Sequence, residues 1–181
     1  MTPKRQNADL ETPRPRGDRR AVPRGGRRRS DQVALAAALE GTVAKLLTLT
    51  REHAPLILVA DECAESRKTI CEYLFTQGFR VERAATGTET LVKARALLPD
   101  LILLDLAVHD IDGFDIMAQL RASSSTHDIG IAVLADVPAD AVRQRVMAAG
   151  ALVFIPKPCE LAVLTVQVAG ACGLILRAAQ S

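Results

Sequence analysis

Short apolar runs alternate with helix-like patterns through most of this 181-residue chain. The predicted strands are 56–60, 79–84, 101–106, 131–135 and 152–156. The predicted helices that follow them are 65–77, 88–98, 113–122, 138–149 and 160–178. Runs such as LILVA are apolar without alternation, as strands covered on both faces should be. Five strand–helix units in this order predict an α/β fold, in which helices sandwich a parallel sheet through right-handed connections.

Three of the predicted strands end at residues that can handle a phosphoryl group. The first strand leads to Asp61 and Glu62, the third to Asp105 and the fifth to Lys157. Ligand sites in open parallel sheets lie outside the carboxyl ends of the strands, so neighbouring strands would bring these side chains into one cleft. Crowded carboxylates need a cation, and oxygen ligands without thiolate or imidazole suit Mg²⁺. The sequence therefore predicts a magnesium site at this edge of the sheet.

Four blocks carry a resemblance to a known family. They are ILVADECAESRKTICEYLFTQGFRV at 57–81, DLILLDLAVHDIDGFDI at 100–116, GIAVLAD at 130–136 and GALVFIPKP at 150–158. In this order and spacing the chain from Leu56 onward resembles a bacterial two-component response-regulator receiver domain of the CheY-like superfamily. The resemblance implies a flavodoxin-like, doubly wound sheet of five parallel strands in the order 2-1-3-4-5.

The resemblance also implies roles for the residues at the strand ends. Asp105 matches the phosphoacceptor and Lys157 the lysine that follows the fifth strand. Asp61 and Glu62 match the acidic pair that binds Mg²⁺ together with Asp105. Ala107, two residues after the acceptor, would offer its backbone carbonyl to the metal.

Several positions depart from the family pattern. Phe154 and Ala135 match the two switch positions, where the family keeps a mobile aromatic residue and usually a Thr or Ser. Alanine has no hydroxyl to donate to a phosphoryl oxygen, so the relay of the signal should be weakened. Asp136 places a further carboxylate nearby, which disfavours added negative charge. Glu62 is one methylene longer than the usual aspartate, and His109 stands in the loop after the acceptor.

The implied function is that of a single-domain response regulator. It would accept a phosphoryl group on Asp105 from a histidine kinase or phosphotransfer protein and signal through protein–protein interaction, with no enzyme activity beyond its own phosphorylation and dephosphorylation. The departures leave a second interpretation open: a degenerate receiver that acts as a constitutive interaction or scaffold module. A metal-dependent phosphohydrolase ranks third, because it usually needs a second aspartate where Ala107 stands.

The amino-terminal segment differs in composition from the rest. Residues 1–30 contain ten Lys or Arg against three acids and almost no large apolar side chains, which predicts a disordered basic tail. Such a tail could attract nucleic acid or acidic partners without sequence specificity. The four cysteines form no CxxC pair, so a reducing cytoplasm is the simplest compartment.

A helix is predicted at 31–53, ahead of a receiver domain at 55–181. Its apolar stripe suits either a short coiled coil or a helix that docks on its own domain. The stripe consists of Leu35, Leu39, Thr42, Leu46 and Leu49.

The last predicted helix is unusually apolar. Leu161–Leu176 is uncharged, but these 16 residues fall short of the roughly 20 that a bilayer span needs. We expect the helix to run nearly to Ser181, which leaves no room for a DNA-binding output domain. A homodimer through the fourth and fifth receiver helices would use its apolar stripe. That stripe consists of Leu161, Leu164, Val168, Cys172, Ile175 and Ala179.

Overall fold

A computed structural model describes residues 29–49, 54–136 and 139–174. The strands are β1 Leu56–Ala60, β2 Arg80–Ala84, β3 Leu101–Asp105, β4 Gly130–Ala135 and β5 Val153–Pro156. The helices are α1 Arg29–Leu49, α2 Ala64–Thr76, α3 Gly87–Leu97, α4 Gly113–Ala122, α5 Ala139–Ala148 and α6 Leu161–Ala171. All five predicted strands are found, with ends within about a residue of the predicted ones.

One parallel sheet joins the five strands in the order β2-β1-β3-β4-β5, which confirms the predicted topology. Every residue of β1, β3 and β4 is buried, as their non-alternating apolar runs predicted. The edge strand β2 is largely accessible to solvent. The three buried strands place their carboxyl ends side by side, and this edge carries the residues singled out from the sequence.

Helices cover both faces of the sheet and enclose two apolar cores. Leu91 of α3, Ile116 of α4 and Val146 of α5 lie in the core on one face. Leu74 of α2 and Val168 of α6 lie in the core on the other face. Helices α3, α4 and α5 therefore cover one face of the sheet and α2 and α6 cover the other, as a doubly wound fold requires.

Local signals fix where two of these helices begin. Thr86 caps α3 by accepting a hydrogen bond from the Glu89 backbone N–H, while Glu89 accepts one from the Ala85 N–H. This pair is similar to a capping box, with the return hydrogen bond made to the residue before the cap. Asp112 caps α4 through a hydrogen bond from the Phe114 N–H. Both starts lie close to the carboxyl edge of the sheet.

Helix α1 packs on the outside of the domain, chiefly against α6. It begins at Arg29, inside the segment predicted to be disordered, and extends to Leu49, the last residue described before the gap at 50–53. The contact agrees with the interpretation of a helix docked on its own domain. Residues 1–28 lie outside the described part of the chain.

The predicted apolar stripe of α1 is not the face that docks. Leu35 is 47% exposed and Thr42 is also exposed, whereas Ala36, Val43 and Leu47 are buried. Alanine and leucine occur on several sides of this helix, so composition alone does not mark one face. The surface offered by α6 and α2 decides the rotation. The side chains of Leu46 and Leu49 fall outside the described set.

The last helix is shorter than predicted. α6 ends at Ala171, and Gly173 adopts a left-handed conformation with φ of 70°. Glycine terminates helices in this way because it has no Cβ to clash. Ile175 and Ala179 of the predicted stripe lie beyond the described residues. None of the helices that the structure describes is both long and apolar enough to cross a bilayer.

Candidate functional site

Three charged side chains meet at the carboxyl edge of the sheet. Asp61 follows β1, Asp105 ends β3 and Lys157 follows β5. The Lys157 ammonium nitrogen Nζ lies 2.5 Å from Oδ2 of Asp105 and 3.6 Å from Oδ2 of Asp61. The Lys157 backbone N–H donates to the carbonyl of Ala135 at the end of β4, over 2.9 Å. The predicted convergence of these three residues is therefore present in the structure.

The two carboxylates of this cluster are buried, and Lys157 balances their charge. Asp61 is 0% exposed and Asp105 is 3% exposed. Burial alone would lower the pKa of Lys157, but the hydrogen bond to Asp105 and the charges of Asp105 and Asp61 outweigh it, and the net pKa is raised. Lys157 thus stays charged at neutral pH and counters both carboxylates.

Asp61 is oriented by the start of α2. Its Oδ1 accepts a hydrogen bond from the Cys63 N–H (2.8 Å), and its Oδ2 accepts one from the Ser66 hydroxyl (2.6 Å). The Arg67 guanidinium donates to the Asp61 backbone carbonyl. Sequence reasoning missed Ser66. The only signal was its place in the first turn of the helix that follows the acidic pair.

The loop after Asp105 is also fixed by hydrogen bonds. Asp105 Oδ1 accepts from the backbone N–H of Ala107 over 3.1 Å, so the contact seen for Ala107 is through its N–H, whereas its predicted role used the carbonyl. Asp110 was missed by the sequence analysis. Its carboxylate accepts hydrogen bonds from the N–H groups of Gly87 and Thr88 at the start of α3. Hydrogen bonds, first from Thr88, lower the pKa of Asp110.

Glu62 lies apart from the buried cluster. Its Oε2 contacts Nδ1 of His109 in the loop after β3, and both side chains are well exposed. Within residues 29–49, 54–136 and 139–174, no three His, Cys, Asp or Glu side chains stand ready to hold a metal ion. Oxygen donors from Asp61, Glu62 and Asp105 suit Mg²⁺ by chemistry. Glu62 would first have to leave His109.

The comparisons agree with this geometry. Residues 57–169 match the model of the response regulator receiver domain. The chain belongs to that family. Response regulator MprA of Mycobacterium ulcerans is 35% identical over 107 residues, which are 58% of this chain and 44% of that protein. A protein-glutamate methylesterase/protein-glutamine glutaminase of Anaeromyxobacter dehalogenans is 34% identical over 108 residues, 59% of this chain and 31% of that protein. The chain spans less than half the length of these curated relatives.

Solved structures show the same receiver architecture. Chemotaxis response regulator CheY4 of Vibrio cholerae superposes with a TM-score of 0.62 at 25% identity, covering 65% of this chain and 98% of CheY4. A putative response regulator from Chloroflexus aurantiacus gives a TM-score of 0.63 at 25% identity, covering 66% of this chain and 98% of that one. The match in fold and family makes this protein a response-regulator receiver of two-component signalling.

The two positions that the resemblance predicts to act as the switch lie in one apolar core. Ala135 and Phe154 are 2% and 6% exposed and belong to the same buried cluster. The Phe154 ring is therefore packed inward rather than turned to solvent. Asp136, next to Ala135, is exposed.

Proposed function

We propose that Asp105 accepts a phosphoryl group from a histidine kinase or phosphotransfer protein in the cytoplasm, and that the protein then signals through protein–protein contacts. The observation that supports this most is the position of Lys157, whose ammonium contacts both Asp105 and Asp61 at the carboxyl edge of the sheet. A buried carboxylate that attacks phosphorus needs its own charge and that of the phosphoryl oxygens balanced.

The transfer follows from these positions. An oxygen of Asp105 forms a bond to phosphorus while the bond from phosphorus to the donor imidazole breaks, and the imidazole leaves with the electron pair. Lys157 moves its ammonium toward the incoming phosphoryl oxygens. The N–H of Ala107 and the hydrogen bonds of Asp110 keep the acceptor loop in place during the step. Positioning and charge balance supply most of the catalysis in such a transfer.

Mg²⁺ fits the donor set of Asp61, Glu62, Asp105 and the Ala107 carbonyl. When bound, the ion would neutralise charge that develops on the phosphoryl oxygens. Ser66 and the Cys63 N–H hold Asp61 in one orientation, while Glu62 is the mobile member of the set. We propose that the Glu62 carboxylate leaves His109 and binds the metal ion instead.

Phosphotransfer from a labelled phosphohistidine donor tests the proposal. Wild-type protein should take up label in the presence of Mg²⁺, and Asp105→Asn should not. Asp115→Asn is the matched control, because Asp115 is an exposed acid on α4 near the same edge. Beryllofluoride binding, followed by ¹⁹F NMR, provides a second readout. Uptake by Asp105→Asn equal to that of wild type would refute the assignment.

A second candidate function is favoured by Ala135 and Phe154. The missing hydroxyl and the inward, packed ring describe a receiver whose switch does not respond, so that it acts as a constitutive interaction module. The measurement that separates the two functions is the set of NMR shifts on addition of beryllofluoride and Mg²⁺. Shifts of resonances near Asp105 without shifts of the Phe154 resonances would favour the constitutive module.

Two partner surfaces belong to this proposal. The fourth and fifth receiver helices, α5 and α6, would form a homodimer, although α1 already packs on α6 and covers part of it. Arg-rich residues 1–30 would attract nucleic acid or acidic partners through charge alone. Binding that disappears as salt rises from low to high concentration would support the second surface, and salt-independent binding would count against it.

A further inference from the structure

The two halves of α1 are held to the domain unequally. In the carboxyl-terminal half, Val43 and Leu47 are 1% and 0% exposed. Glu40, at the junction, forms a hydrogen bond with the Tyr73 hydroxyl of α2. In the amino-terminal half the docking side chains are Ala36, which is buried but small, and Val33, which is only half-buried. The second half is therefore anchored in the core, while the first half rests on a small contact.

A cavity lies beside the lightly held half. Its volume is about 640 Å³. The first turns of α1 contribute Arg29 and Val33 to its wall, and the receiver contributes Phe154, Lys157 and Gln167. This part of α1 thus lies next to a cavity that is lined by Phe154, at a predicted switch position, and by Lys157.

One hydrogen bond connects this half of α1 to the β5–α6 loop. The Arg29 guanidinium nitrogen Nη2 donates to the carbonyl of Pro158 over 3.2 Å. Pro158 directly follows Lys157, whose ammonium contacts Asp105. A cation at a helix amino terminus is disfavoured by the helix dipole, so Arg29 needs such an acceptor. The contact therefore depends on where the loop after Lys157 lies.

Gly41 stands between the two halves. A Cβ at this position would meet no atom within 4 Å, so packing does not require glycine here. Glycine in the middle of a helix loosens it relative to alanine. The helix thus has a weak point where the anchored half meets the lightly held half.

We propose that residues 29–39 form an arm that opens at the junction formed by Glu40 and Gly41, and that the loop after Lys157 holds it closed while Lys157 remains on Asp105. Phosphorylation of Asp105 draws the ammonium to the phosphoryl oxygens, shifts the Pro158 carbonyl and releases Arg29. Opening uncovers the cavity beside Phe154. The trigger rests on the proposed phosphorylation of Asp105, whereas the hinge and the Arg29 contact do not.

Amide hydrogen exchange on the full chain tests the arm. The readout is the exchange of residues 33–40, because the first four N–H groups of a helix have no partner within it. Mg²⁺ with beryllofluoride should speed exchange there about threefold, as expected for the loss of one exposed hydrogen bond. Arg29→Ala should do the same without beryllofluoride. Gly41→Ala should slow exchange about fivefold, which is the difference in helix propensity.

The control variant is Arg143→Ala, since Arg143 lines the same cavity from α5. It should leave exchange of residues 33–40 unchanged. Residues 43–47 serve as the internal reference and should not respond to any of these changes. ¹⁹F NMR on the same samples reports whether beryllofluoride binds.

The outcomes separate the arm from the phosphorylation. Absence of beryllofluoride binding defeats the proposed function, while Arg29→Ala and Gly41→Ala still test the hinge. Bound beryllofluoride with unchanged exchange at residues 33–40 overturns the trigger. Equal responses of residues 33–40 and 43–47 to Arg29→Ala overturn the hinge, because the helix would then move as one body.

Discussion

The acidic edge of the sheet and helix α1 are stabilised in opposite ways. At the edge, Asp61 and Asp105 are buried and share one ammonium, and each also accepts hydrogen bonds from nearby backbone or hydroxyl groups. Helix α1 instead lies outside the sheet, with a few buried apolar side chains and polar contacts such as Arg29 to Pro158 and Glu40 to Tyr73. The edge is fixed by many mutual constraints, and the helix by few.

Because of this difference, we expect the acidic edge and helix α1 to have different roles. A phosphoryl acceptor needs its charges placed in advance, and buried groups with several partners give that placement. A responsive element needs two states close in free energy, and a small docking surface gives that. The following substitutions test whether the two regions really differ in this way.

The largest effect is expected from Lys157→Ala, which leaves Asp61 and Asp105 buried without a cation. We expect a loss of about 3 kcal/mol in the free energy of unfolding at pH 7 without divalent metal. Because the folded-state pKa of Lys157 is raised from 10.5, its contribution is complete below that pH and is lost as pH rises through the folded value. Urea unfolding at several pH values measures both.

Lys93→Ala is the control for Lys157, because Lys93 pairs with Glu89 and Glu82 at the surface. It should cost less than about 1 kcal/mol. An equal loss from the two lysine variants would mean that the edge is no more constrained than an ordinary surface pair.

Leu47→Ala should be next in size, at about 2 kcal/mol, because Leu47 is fully buried where α1 docks. Leu35→Ala, in the exposed part of the same helix, should change stability by no more than about 0.5 kcal/mol. Urea unfolding of both variants gives the comparison. If the two losses are similar, the rotation of α1 that buries Leu47 and exposes Leu35 is wrong.

Tyr73 reports the docking of α1 directly. The hydrogen bond with Glu40 raises the pKa of Tyr73 to about 12, with burial and the Glu40 charge adding to it. The stability from this contact is therefore present below pH 10 and is lost as pH rises through about 12. Tyr73 is the only tyrosine and the chain has no tryptophan, so ultraviolet absorbance follows this phenol alone.

Glu40→Gln should bring the pKa of Tyr73 down toward its usual value. Glu72→Gln is the matched control, because Glu72 is adjacent to Tyr73 in sequence and pairs with Lys68 at the surface. A wild-type tyrosine that already titrates near pH 10 would show that α1 is not docked in solution.

The smallest effect on stability is expected from Ala135→Ser, within about 1 kcal/mol. The new hydroxyl can donate to a phosphoryl oxygen on Asp105, so the NMR shifts of Phe154 on addition of beryllofluoride and Mg²⁺ should become larger than in wild type. Ala151→Ser, two residues before β5 begins, should not have this effect. Unchanged shifts at Phe154 would show that the missing hydroxyl does not limit the switch.

The parts of the site that the sequence predicted are those tied to strand ends. Asp61, Asp105 and Lys157 each follow or end a buried strand, and parallel strands deliver their carboxyl ends to one edge. Ser66 and Glu62 were different, because their partners depend on how a helix or loop approaches that edge. Ser66 turns to Asp61, and Glu62 turns to His109.

The sequence by itself predicted the five strand–helix units and the meeting of two aspartates with one lysine, since apolar runs without alternation are typical of strands covered on both faces. The strand order was predicted from the resemblance to the receiver family. Only the tertiary structure decided which face of α1 docks and that Arg29 reaches Pro158. The physical reason is that a strand in a sheet is specified by its own side chains and backbone hydrogen bonds. The rotation of a surface helix depends instead on the shape of what it packs against.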